Sequence, residues 1–201
     1  MRAYVGAVLI AVLMGGCGAT SAPREASRAF PGNAFGFRFG SSVADVEGDC
    51  FAMGGRITSD PSAGETHARV LCSGSPPMMP AGPMMLAFCG DPPTLCAMFA
   101  RTVVDTAGAA TLVAYVRGRL DGIHSAALVD SSTGSPECMS AREQGSWDLV
   151  ARGECDLRST WDMPGGRISL VAARARPGAI AVQIFVATTQ VTDLLPAMAR
   201  E

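Results

Sequence analysis

Apolar residues along this chain recur at two periods, and the changes between them divide it into elements. Phenylalanines at 35, 37 and 39 alternate with Gly36 and Arg38 as in a strand, and Ser42-Val43-Ala44-Asp45 follows in the form of a capping box. From Val43 to Met53 the spacing lengthens: Val43, Val46, Cys50 and Met53 fall on one face of a predicted helix that Gly54-Gly55 stops. Gly48 inside it lowers its intrinsic propensity, so packing has to hold it. HARVLC (67–72) reads as a strand, and MMLAFC and CAMFAR, joined by GDPPTL, as a hairpin. A second helix is expected over 109–123 with Leu112, Val116, Leu120 and Ile123 inward, then turns through DSSTGSPEC. Strands are expected over Trp147–Val150 and Cys155–Trp161. RISLVAARAR and AIAVQIFVA form a hairpin about Pro177-Gly178, with Ile180, Val182, Ile184 and Val186 on one face. A short tail helix is expected over 192–200.

Runs of antiparallel strands after single helices predict an α+β, two-layer fold, with antiparallel sheet covered by two helices. The element order reads as a helix-plus-meander unit made twice, with halves at 35–105 and 106–190. The folded part is expected over 35–190, and 191–201 as a tail.

The first residues fit none of these periods. Arg2 precedes an apolar run from Ala3 to Met14, then Gly15 and Gly16, then Cys17. A run of that length is too short to span a bilayer, which needs about 20 residues, and reads as a signal peptide over 1–16. Met14-Gly15-Gly16-Cys17 resembles the lipobox of bacterial lipoproteins. The resemblance implies that Cys17 carries diacylglycerol, becomes the mature N-terminus and is then acylated, which holds a protein at a membrane. Residues 17–34, rich in Ala, Ser, Pro and Gly without periodicity, then read as a tether.

Removing residues 1–16 leaves 185 of the 201, enough for a real core. All 16 basic residues are arginine against 18 acidic ones, with no basic run, so nucleic-acid binding has little electrostatic support. Besides Cys17 there are six cysteines, an even set behind an export signal, which reads as disulfides in an oxidising compartment. Cys89 and Cys96 face each other across the predicted hairpin, at a spacing that suits a bond. Cys50 with Cys72 and Cys138 with Cys155 follow by elimination and proximity. No two of the six lie two to four residues apart, which excludes the usual structural zinc patterns.

Catalytic motifs are missing. There is no G-x-S-x-G, H-E-x-x-H or G-x-G-x-x-G, and without lysine there is no phosphate-loop lysine and no Schiff base. A hydrolase would have to work through His67 or His124; the first sits at a predicted strand edge, the second after a helix, where a cation offsets the helix dipole. Asp45 and Asp49, one turn apart, read as a solvated helix face rather than an acid–base pair. PPMMPAGPMM places Met78, Met79, Met84 and Met85 in a proline-rich stretch; thioethers select Cu(I), so a copper-binding role for these four is the alternative to an adaptable contact loop. Trp147 and Trp161, in S-W-D-L and T-W-D-M, read as core anchors.

With FGFRFGSS leading into the capped helix and a meander after it, the element order over 35–190 resembles β-lactamase-inhibitor-protein-like domains. It is also similar to the small lipoprotein of outer-membrane barrel assembly. What the resemblance implies is a binding scaffold without catalysis. The expected protein is therefore a lipid-anchored envelope lipoprotein without cofactor, contacting the membrane through its lipid. Its partner is expected to be an envelope protein and its address the outer membrane, facing the periplasm. Gly18 supports that address, since it stands where an Asp would signal inner-membrane retention in enteric lipoproteins.

Overall fold

A computed structural model describes residues 30–59, 69–74, 82–124, 128–134, 137, 138, 140, 147–189 and 191. The expectations for the signal, Cys17, His67, Met78, Met79 and the tail helix lie outside these residues.

The chain opens with a small hairpin, β1 (Asn33–Ala34) and β2 (Phe37–Arg38), turned by Phe35 at φ 53° and Gly36 at φ 91°. This corrects the single strand expected over 35–39. All three phenylalanines are drawn inward, Phe35 and Phe37 buried and Phe39 half-buried, because burying three rings outweighs strict alternation. It also moves the start of the folded body. Phe30 stacks on Phe39 with ring centroids 4.9 Å apart and donates its N–H to Pro164 O, so residues 30–34 are packed rather than tether.

Helix α1 (Val43–Ala52) starts at the capping box read from the sequence and buries Val46 and Cys50. Four strands follow: β3 (Ile57–Ser59), β4 (Arg69–Cys72), β5 (Met84–Cys89) and β6 (Thr94–Val104). Helix α2 (Thr106–His124) then leads to β7 (Leu128–Gly134), the short helix α3 (Asp148–Arg152), and β8 (Cys155–Met163), β9 (Gly166–Arg176) and β10 (Ala179–Thr188). β3 to β10 form one antiparallel sheet in the order β3-β4-β5-β6-β10-β9-β8-β7. The strands after α1 thus make one side and those after α2 the other, and β6 meets β10 at the centre from Val104↔Ile180 to Ala97↔Ala187. The α+β class stands.

Two expectations fail locally. DSSTG is the body of β7, not a turn. A strand at the sheet's edge tolerates polar residues on both faces, and Asp130 finds partners on β8 and α2. Trp147–Val150 is not a strand: α3 begins at Asp148 and ends at Gly153, whose φ of 78° supplies a left-handed cap.

The helices cover one face of the sheet. Val46 and Cys50 of α1, Ala109, Val113, Val116 and Leu120 of α2, and Val150 of α3 share one apolar core with Leu86, Met98, Trp161, Leu170 and Ile184 from the strands. The opposite face carries a smaller cluster of Ala87, Cys89, Cys96, Ala97, Phe185 and Ala187, joined by Val191 and edged by half-buried Phe99. None of α1, α2 and α3 contributes to it.

Candidate functional site

Three disulfides tie the elements together, each the pair expected from the sequence. Cys50–Cys72 bonds α1 to β4 at a Cα separation of 5.9 Å, and Cys89–Cys96 closes the β5–β6 hairpin at 5.8 Å. Cys138–Cys155 fastens the segment before α3 to the start of β8 at 6.2 Å. Such a set forms and persists in an oxidising, extracytoplasmic compartment. No described helix is long and apolar enough to cross a membrane.

Among the candidates for chemistry, the structure separates what the sequence placed side by side. Met84 is fully buried under the helices, whereas its neighbour Met85 is half-exposed on the other face, since successive strand residues point opposite ways. Their two thioethers thus stand on opposite faces of the sheet. Within the described residues no three His, Cys, Asp or Glu side chains come together as metal ligands. His124 is the last residue of α2.

Asp45 and Asp49 line an open cleft of about 720 Å³ between α1 and the β1–β2 hairpin, with Asn33, Arg38, Ser41 and Gly48. Asp45 Oδ2 accepts the Ser42 N–H at 3.2 Å and the Ser42 hydroxyl at 2.8 Å, while Ser42 Oγ accepts the Asp45 N–H at 3.3 Å. These hydrogen bonds, with Arg38 nearby, hold the Asp45 carboxyl below its ordinary value, so it is spent on starting the helix rather than poised as an acid.

The largest polar constellation in the described residues joins α2 to the β7–β8 edge. Arg117 donates to Asp130 Oδ2 at 3.0 Å, the buried Ser159 hydroxyl donates to Asp130 Oδ1 at 2.7 Å, and the Trp161 indole N–H donates to Asp121 at 3.2 Å. Arg117 Nε also lies 3.9 Å from Asp121. The cluster docks a helix; the sequence hinted at it only through buried Trp161.

The opposite face of the sheet is covered by none of α1, α2 and α3. One cross-strand row runs Leu71, Met85, Phe99, Phe185 over four strands, and the next runs Arg101, Gln183, Val171, Arg158. Towards the β5–β6 turn this face is closed by the alanines of the smaller cluster. Towards the α2 end it is open: Val103 is 43% exposed, and Arg101 and Arg158 are exposed without an ion pair among the described residues. Beyond it, on the helix side, Val104, Ala107, Leu112 and Tyr115 line a shallow apolar groove of about 530 Å³.

Sequence reasoning found Arg158 as an outward residue of its strand. The run CAMFAR (96–101) read from the sequence already holds Phe99 and Arg101, and only Val103 lies past its end. The alternation Phe99, Arg101, Val103 continues the same period and carries the signal. No protein-family model, curated protein or solved structure matches this chain.

Proposed function

We propose that this is a lipid-anchored, extracytoplasmic binding module without catalysis, held by Cys17 at the outer membrane and facing the periplasm, and that it takes a protein partner on the open part of the outer sheet face. The observation that carries the reading is that face: a half-exposed apolar row, Met85 to Phe99, beside two arginines that have no acidic partner among the described residues. Charged side chains without a neighbour of opposite sign around an apolar centre suit a partner with acidic groups around an apolar contact. A leading helix and four strands in each half, the second interrupted by α3 between β7 and β8, are compatible with a tandem helix-plus-meander scaffold of the kind the sequence resembles. The anchor rests on Met14-Gly15-Gly16-Cys17, and the disulfides fit the compartment.

The test has two arms. Intact-mass spectrometry of protein extracted from envelopes is expected to give a chain beginning at acylated Cys17; an unprocessed chain defeats the anchor. Capture from the same extract is expected to recover one partner, lost with Phe99→Glu or with Arg101→Glu/Arg158→Glu at unchanged melting temperature. Equal recovery by these variants defeats the surface.

A further inference from the structure

From the edge of the sheet we infer a second contact: β7 docks a second copy of this chain, the two β7 strands pairing antiparallel about Ser131 so that two sheets run on as one. The two ends of the sheet differ. β3 is three residues long, whereas β7 runs seven, and its outer side pairs with no strand among the described residues. An antiparallel edge strand turns every second N–H and C=O away from its neighbour, ready for an added strand. Proteins guard such edges with proline, a bulge, lysine or an inward-pointing charge. β7 has no proline or lysine, and it pairs with β8 without a bulge from Leu128 to Gly134. Its one charge, Asp130, is engaged by Arg117 and Ser159 of the same protomer.

The sequence of β7 selects its own copy. A two-fold axis normal to the sheet keeps each face, and paired residues share a face, so the axis must pass through a residue. Centred on Asp130 it sets two carboxylates against each other, and centred on Ser132 or Val129 it shortens the ladder. Centred on Ser131, all seven residues pair, with Val129 opposite Thr133, Asp130 opposite Ser132 and Leu128 opposite Gly134. No charge then faces its like. Val129, 59% exposed, gains a neighbour. Arg158, beside Ser131 in the ladder, lies three strand spacings, roughly 14 Å, from Arg158 of the second copy, beyond the Debye length at physiological salt. An edge of this length buries less than the roughly 1,600 Å² of a standard stable complex, so the pair is expected to depend on concentration.

Sedimentation equilibrium of the full chain in mild detergent is expected to show a mass rising towards twice the monomer's as concentration increases. Ser131→Cys, at the two-fold position, is expected to form a symmetric disulfide under mild oxidation about tenfold faster than Thr58→Cys on the other edge. A monomer at every concentration overturns the inference. So does a Ser131→Cys cross-link no faster than that of Thr58→Cys, or one formed only to a different polypeptide. Loss of the partner on the outer face would leave this dimer intact, so the two readings fail separately.

Discussion

Ser42 and Asp45 each satisfy the other's backbone N–H at the start of α1, an arrangement whose loss is measurable. Ser42→Ala is expected to lower stability by about 1 kcal/mol, seen as a lower urea midpoint at unchanged slope. The Asp45 carboxyl is held below its ordinary 3.8, chiefly by the Ser42 side chain, so its contribution is present above that value and lost as pH falls through the lowered one. The stability difference between the parent and Asp45→Asn is therefore expected to be constant above about pH 5 and to vanish on acidification. Gly166 answers to a different constraint: a Cβ there meets Ala187 O and the Phe30 ring. Gly166→Ala is expected to lower stability by about 1–3 kcal/mol and to free the Phe30 segment, read as faster amide exchange at Phe30.

Elements whose period survives in the side chains were legible. β8 buries Cys155, Leu157, Ser159 and Trp161 in strict alternation, and the β9–β10 hairpin follows Pro177-Gly178 as expected. Elements held by tertiary partners were not. β7 is polar from Asp130 onward and is held by its pairing with β8 and by Arg117 of α2 on Asp130; no local pattern encodes either. Trp147 looked like a strand residue for its size, yet its ring is buried at the start of a single helical turn. β3 is three residues long and carries no period at all. The outer face of the sheet was partly legible for the same reason: Arg158 lies in a clean alternation and Phe99 and Arg101 fall within CAMFAR, whereas Val103 lies beyond a boundary drawn too early. Arg117→Met removes an ion pair from Asp130 and is expected to destabilise by about 1–3 kcal/mol, with Arg117→Met/Asp130→Asn recovering part of it in a double-mutant cycle.

At the scale of the molecule, the described helices lie on one face of a single sheet, and the disulfides lie between α1 and the third strand from the centre, in a hairpin turn, and at the base of β8. They close loops of 22, 7 and 17 residues. In the chain-entropy account these contribute about 9 kcal/mol together, comparable with the whole stability of an ordinary domain. Full reduction is thus expected to unfold the chain at 25 °C, followed by loss of near-ultraviolet circular dichroism. Cys50→Ala/Cys72→Ala is expected to remove about 3 kcal/mol while leaving it folded.

The turn between β8 and β9 receives the chain twice: Pro164 O accepts the Phe30 N–H, and Gly165 O accepts the Thr189 N–H. Where the polypeptide comes in and where it leaves are therefore neighbours, and the sheet does not depend on which residue happens to be first. A circular permutant that links 191 to 30 through a short glycine-serine bridge and is cut between Pro177 and Gly178 should keep all eight strands in register. It would also carry its ends to the far side of the molecule, so that an anchor attached there would present the opposite pole to the bilayer.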